Sequence, residues 1–366
     1  MCTNHSRHDR VRCIIPPYIN DRLMTNDDTD EAKSALESQK FSSKIRAKRE
    51  FITSHIKTYA NLMIPKEAKA AKKPSLNMEV YDIHHNTDTA LATLLWKNGK
   101  VENGKLDKDA KNVIKAGKGT WDFYYEVFGR NSLNKMGLLL KHYIHYGKTQ
   151  EDMDNAFWDG EAMLYGDGDA KIFGSFTSDI DIIGHELTHG VTQFESNLEY
   201  INQSGALNES LSDVFGIMIK QRMMKQDVIK SNWLIGENVL LGNQYALRSL
   251  KAPGTAFVNH PELGTDPQPA TMDHFKHLPV SIDGGGVHYN SGIPNFAFYV
   301  TAFNIGGFSW EKAGRIWYEA MCDRALKTDA TFEQFKALTI KKAATLFGAG
   351  SKEHKATQQG WKEAKV

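Results

Sequence analysis

Residues 183–189 read Ile-Gly-His-Glu-Leu-Thr-His, and no other stretch restricts the fold of this chain as much. Residues four apart on a helix face the same way. His185 and His189 can therefore offer two imidazoles to one metal ion, with Glu186 standing beside them. The opposite face carries Ile183, Leu187 and Val191 at i, i+4 and i+8. A helix with an apolar stripe on one side and ligands on the other must lie inside the protein, packing and ligating at once. Ser178 or Asp179 is placed to cap its start.

Two histidines do not complete a site. A catalytic zinc needs a third protein ligand and an open position. A third histidine six residues beyond His189, with a glycine midway, is one solution, but the chain has Glu195 and Thr192 there. A carboxylate from a second helix is the other. Glu209 lies twenty residues beyond His189 in the run GALNESLSD, and Asp213 comes one turn later on the same face. Asp213 can accept the free N–H of a ligating histidine and fix its tautomer.

The rest of the composition sets the frame. With 366 residues the chain can build two domains and an extension. Its 45 basic and 44 acidic residues leave a net charge of +1, which argues against nucleic acid or a membrane surface as partner. The three cysteines, Cys2, Cys13 and Cys322, are too few and too scattered for a disulfide framework or a thiolate zinc cluster. Cys322 reads as a helix core residue. A secretory signal needs roughly 7–15 apolar residues behind its basic start. Here Ile14 and Ile15 run straight into Pro16 and Pro17. The expectation is cytoplasmic synthesis and, if the protein is exported, a non-classical route.

Residues 1–74 differ in character from the remainder of the chain. Between Lys33 and Pro74 there are eleven Lys or Arg against three Glu. A broken apolar stripe of Phe41, Ile45, Phe51, Ile52, Ile56 and Tyr59 predicts some helix. Residues 66–74 (KEAKAAKKP) read as an exposed linker and cleavage zone. From Met78 the pattern changes: 78–84 alternates as a strand, 120–128 is an aromatic helix, and 155–169 is a β-segment closing in a Gly/Asp turn. Helices are predicted at 178–195, 205–221, 291–303, 309–321 and 331–347, the last with Thr331 and Gln334 as a capping box and Gly348 beyond its end. The fold class is thus α+β. Residues 75–200 are expected to form an N-terminal β-rich domain ending in the HExxH helix and 201–366 a helical C-terminal domain.

HELTH at 185–189, the run ESNLEYINQSGALNESLSDVFG after it and DGGGVHYNSG at 283–292 together resemble the thermolysin family of zinc metallopeptidases, over about residues 76–366. Arg12 to Tyr18 (RCIIPPY) resembles the short propeptides of its protealysin-like subgroup. The resemblance implies a zinc cleft between the two domains and makes 1–74 a propeptide and linker. It implies one catalytic zinc held by His185, His189 and Glu209, with Glu186 as general base. His288 and Tyr200 would be donors to the developing oxyanion, and Asp283 would orient His288. It implies that Asn155 and Ala156 pair with an extended peptide and that Arg248 holds the carbonyl beyond the cleaved bond. Phe173, Phe176, Ile182, Ile235, Val239 and Leu247 would line a primed-side pocket, so that cleavage falls before hydrophobic residues of a peptide or protein substrate. Phe176, bulkier than the leucine usual there, narrows that pocket. Thermolysin relatives hold a calcium pair beside the site. Here Asp181 and Glu237 match two of its acids, but Lys220 stands at a bridging glutamate's position, Asn232 and Leu234 replace two more acids, and the loop between Val239 and Tyr245 is short. At most one weak Ca²⁺ site is expected.

The precursor is expected to be latent, with its own propeptide as inhibitor. Either the Pro16-Pro17-Tyr18 element clamps the cleft or the Cys13 thiolate occupies the open metal position. Two other functions fit the same fold: an aminopeptidase of the glutamate-zincin group, which would need acids to hold a free α-amine, and a catalytically silent binding protein, which would have lost the base or a ligand.

Overall fold

The computed structural model describes residues 14–24, 74–242 and 245–366. It opens with a short helix, α1 (Pro17–Met24). Pro17 suits the first helical position, where an N–H would have no intrahelical partner. The predicted stripe at 41–59, the linker at 66–73, and Cys2 and Cys13 lie outside the described residues.

The N-terminal half is built on a six-stranded sheet, in the order β3-β2-β1-β4-β6-β5. Its strands are β1 (Met78–Asn86), β2 (Thr93–Lys97), β3 (Lys100–Val101), β4 (Leu140–Tyr146), β5 (Ala156–Trp158) and β6 (Met163–Tyr165). The β1–β4 and β4–β6 pairs are parallel and the others antiparallel. Alternation along β4 sends Leu140 and Ile144 into the main core and Tyr143 to a smaller cluster on the other face, with Ile83, Phe157 and Leu164. β5 is left at the edge.

Helix α2 (Lys108–Phe128) covers the sheet. It is more than twice the length predicted from its aromatic half. Asp107 caps its start, accepting from Ala110 N at 2.7 Å, and Gly129 ends it in the left-handed region. Its first half buries only small residues, Ala110, Val113, Ala116 and Gly117, a signal too weak to read from sequence. A single turn, α3 (Gln150–Met153), precedes β5.

Two helices form the centre. In α4 (Ile180–Phe194) residues 181–193 are buried, and in α5 (Asn202–Met223) residues 204–221 are. Their axes approach at a pair of glycines. A Cβ on Gly184 would lie 3.2 Å from Gly216 Cα, and one on Gly216 only 2.6 Å from Asp181 O. This contact carries Glu209 to the histidines of α4. The predicted cap of α4 is not made. Asp179 occupies the N-cap position without a capping hydrogen bond, because its carboxylate instead accepts from Asn238 N and Nδ2 at 2.8 and 2.6 Å.

The two-stranded pair β7 (Leu234–Ile235) and β8 (Arg248–Ser249) flanks α5. The remainder is helical: α6 (Asp283–Asn290), α7 (Gly292–Ile305), α8 (Ala313–Met321), α9 (Phe332–Phe347) and α10 (Lys352–Glu363). The Thr331–Gln334 capping box is present and Gly348 ends α9. Helix α10 has no counterpart among the helices expected from sequence. It is largely polar, and it seats on α7 through Gly360, where a Cβ would collide with Thr301 Oγ1 and Ala297 O. Among the described residues no helix is long and apolar enough to cross a membrane.

Candidate metal centre

His185 and His189 leave α4 one turn apart and converge, Nε2 to Nε2, at 3.0 Å. The Glu209 carboxylate from α5 lies 3.4 Å from His185 Nε2 and 3.3 Å from His189 Nε2. All three side chains are fully buried. Behind them, His185 Nδ1 meets Asp213 Oδ1 at 2.8 Å, and His189 Nδ1 meets Asn208 Oδ1 at 2.9 Å and Ser212 Oγ at 3.0 Å. Polar partners behind both rings turn the two Nε2 atoms toward one another and toward the Glu209 carboxylate. A cation placed among them would be held by all three groups. Two imidazole nitrogens and a carboxylate oxygen suit zinc, with room left for an open position.

The surrounding charges agree. Burial alone would lower the pKa of His185, but its contacts with Asp213 and Glu209 outweigh this and push it up to about 9. Burial would raise Glu209, yet His288, His189 and His185 hold it well below the usual carboxylate range. Asp213 is brought to about 2 against its burial, chiefly by Arg248.

Glu186 lies beside the triad and accepts from the edge-strand Trp158 N at 2.9 Å. Tyr200 donates its hydroxyl to Glu209 Oε1, and the same hydroxyl oxygen lies 3.1 Å from His288 Nε2. Asp283 receives His288 twice, Nδ1 to Oδ1 at 2.6 Å and N to Oδ2 at 2.7 Å. The backbone here is unusual: Asp283 and Gly284, Gly285 and Gly286 all have positive φ, between 47° and 89°. At Gly285 a Cβ would collide with Asn202 Oδ1, so glycine is required for the loop to seat against the start of α5.

The remaining predicted residues also gather here. Arg248, fully buried, grips Asp213 through Nε and Nη2 at 2.9 and 2.8 Å. Its Nη1 donates to Ile14 O at 2.9 Å, while Ile14 N donates to Ala156 O at 3.3 Å. Asn155 turns its amide oxygen onto Ala156 N at 2.9 Å. Phe173 and Phe176 are buried with ring centroids 5.9 Å apart, and Leu247 packs on Gly236; all share one core with Ile14 and Ile15. Sequence reasoning misses Asn208, Ser212 and Trp158 N. Asn208 and Ser212 are within its reach, being four apart on the face of α5 that carries Glu209.

Lys220 is buried. Its Nζ lies 2.7 Å from Asp181 Oδ2, 3.4 Å from Glu237 Oε1 and 3.1 Å from Leu234 O, with Asn232 Nδ2 donating to Glu237.

Comparison with known proteins points the same way. The thermolysin metallopeptidase catalytic domain matches residues 52–193, and the thermolysin metallopeptidase alpha-helical domain matches residues 196–366. Protease PrtS of Photorhabdus sp. is 40% identical over 362 residues, 98% of this chain and 93% of its own. An extracellular metalloprotease of Pectobacterium carotovorum is 40% identical over 358 residues, covering 96% of each chain. The solved precursor of protealysin, a metalloproteinase from Serratia proteamaculans, superposes with a TM-score of 0.82 at 39% identity, over 97% of this chain and all of that one. With both halves matched and two buried histidines and a glutamate converging between them, this chain belongs to the thermolysin family and is a zinc metalloendopeptidase.

Proposed function

We propose that the chain is a latent precursor whose segment around Ile14 lies in the substrate slot, and that the released enzyme cleaves on the N-terminal side of hydrophobic residues. One observation carries this. Ile14 donates its N–H to the edge strand at Ala156 and offers its C=O to Arg248. Those are the two main-chain anchors expected of the residue just after the cleaved bond. Ile14 and Ile15 are fully buried, which supports a pocket that accepts aliphatic side chains. Pro16 cannot continue the pairing, and the chain turns into α1, so the mimicry ends within two residues.

When bound by His185, His189 and Glu209, zinc supplies a Lewis acid that polarises the scissile carbonyl and makes water nucleophilic near neutral pH. Glu186 takes a proton from the attacking water and delivers it to the leaving amine. Trp158 N fixes the carboxylate for this. His288, held by Asp283, and Tyr200 stabilise negative charge developing on the carbonyl oxygen. Asp213 orients His185 and, through Arg248, couples the metal site to the main chain of the residue after the cleaved bond. Lys220 takes the place of bound calcium between Asp181 and Glu237.

The test is N-terminal sequencing of the purified precursor after incubation, with and without a zinc chelator, and then peptide cleavage by the product. Chelator-sensitive shortening together with cleavage before Leu, Ile or Phe is expected. Full activity of the uncut chain, or cleavage with no preference at that position, would overturn the reading.

A further inference from the structure

At one end of the sheet, strands β1 and β4 distort together. Their parallel register runs from Asp82 opposite Ile144 to Asn86 opposite Tyr146, so three residues of β1 face one of β4. Within this bulge His84, His85 and His145 all adopt positive φ, of 53°, 52° and 57°. Non-glycine residues rarely do this, and bulges of this kind re-aim side chains. The result is that the His85 and His145 rings lie with centroids 5.5 Å apart. Asp167, just past β6, meets both: His145 Nδ1 at 2.9 Å and His85 Nδ1 at 3.4 Å. On its far side His145 Nε2 contacts Asp107 Oδ2 at 2.9 Å. Asp107 is itself pinned, since its other oxygen caps α2.

We propose that His85, His145 and Asp167 form a second binding site for a first-row divalent cation such as zinc, with Asp107 orienting His145. The catalytic centre of the same molecule provides the scale. There, two imidazole nitrogens and a carboxylate are separated by 3.0–3.4 Å, and one histidine passes its other nitrogen to an aspartate at 2.8 Å. In the second group the contacts of Asp167 with the two histidines are 2.9 and 3.4 Å, with the matching histidine–aspartate contact at 2.9 Å. The three candidate ligand atoms all lie within 4.8 Å of one another. Metal–ligand bonds of about 2.0–2.2 Å in a tetrahedron place neighbouring donors roughly 3.3–3.6 Å apart, so small shifts close the site. The chemistry of two imidazoles and one carboxylate favours zinc, nickel or copper over calcium or magnesium. The His85 side chain is 61% exposed and Asp167 25%, so the ion enters from solvent and water completes its coordination. The group sits at the sheet's end where three strands and the start of α2 meet, and its occupancy bears on that junction.

The experiment is calorimetric titration of zinc into full-length protein carrying its catalytic zinc, with metal content checked by elemental analysis. A second equivalent should bind in the wild type. His85→Ala and Asp167→Asn should each lose it while keeping the first zinc and the peptidase activity of the processed enzyme. Asp107→Asn should weaken it by about tenfold, the lower end for removing a group that orients a ligating histidine. Wild-type protein that stops at one zinc, or either ligand variant binding the second ion undiminished, would overturn the assignment. The latter outcome would place the extra ion elsewhere, including in the cleft.

Discussion

On the proposed function, single residues divide into those that would hold the metal and the one that would move the proton. Glu186 is buried beside the ligands but contributes no atom to their cluster; it accepts instead from Trp158 N. Glu186→Ala should therefore fold, keep a full equivalent of zinc and lose about 10²–10⁴-fold in activity, the range for a missing general base. Zinc content and peptide hydrolysis measured on the same sample check this, and residual activity above roughly 1% would sink the assignment. Asp213 should behave in the opposite way. It faces His185, Arg248 and Asn295 at once. Asp213→Ala should weaken zinc by about 10–100-fold and also raise KM, because Arg248 loses its anchor; competition with a chelator reads the first effect. Part of this is legible in sequence: helical spacing puts His185 with His189 on one face and Glu209 with Asp213 on another, while the meeting of the two faces is set by the packing of α4 on α5. Asp179 shows the limit: its residue type and position announce a helix cap, but a tertiary partner, Asn238, takes the carboxylate. Pairings with distant residues leave no periodic trace.

At the scale of elements, the apolar helices α4, α7 and α8 announce themselves in the sequence, whereas α2 is foreshortened and α10 missed. The missed half of α2 packs through Ala110, Val113, Ala116 and Gly117, and α10 seats on α7 at Gly360 with Trp361 as its one large buried apolar residue; what a glycine or alanine touches is decided by the partner helix. The Gly184–Gly216 contact is the sharpest instance. Its consequence, that Glu209 reaches the histidines, cannot be read from either helix alone. The segment 14–24 carries the element-level prediction. Tyr18 is buried, and its ring lies 4.7 Å from that of Tyr289, one residue beyond His288. Removing a buried aromatic typically costs about 3–5 kcal/mol. Even about 2 kcal/mol would raise the population of open precursor roughly thirtyfold. In an uncleaved Glu186→Ala background, Tyr18→Ala should therefore bind a peptide inhibitor at least about ten times more tightly than the same chain with Tyr18. Equal affinity, or affinity in the uncleaved chain already equal to that of the processed form, would show that this segment does not guard the slot.

The molecule as a whole needs something to hold the start of α4, the end of α5 and the β7 region together beside the cleft. Asp179, Asp181 and Glu237 converge there, and like charges so close must be neutralised. Burial and the neighbouring Asp181 push the Asp179 carboxyl up, the direction that charge strain within the cluster dictates. Lys220 answers that strain from within the chain. Burial would lower its pKa, but Asp181, Glu237 and Asp179 outweigh it and hold the ammonium charged well above its ordinary range. The ammonium sits 2.7 Å from Asp181 and 3.4 Å from Glu237, and it also reaches Leu234 O. Calcium needs roughly six to eight oxygens. Here the central position is taken by a cation that supplies none and repels a dication. Asn232, donating to Glu237, occupies a further oxygen that an ion would need. The thermal midpoint should consequently be the same in calcium and in a calcium-selective chelator that leaves zinc in place, and protein dialysed against calcium should retain less than one ion per chain. Lys220→Glu should reverse both results: destabilised without calcium by the loss of the buried counter-charge, and recovering in its presence. Two tightly held calcium ions in the wild type, or a large drop in its midpoint on calcium removal, would mean that the lysine does not replace the metal. A Lys220→Glu protein destabilised equally with and without calcium would mean that the surrounding oxygens cannot form a site whatever stands at that position.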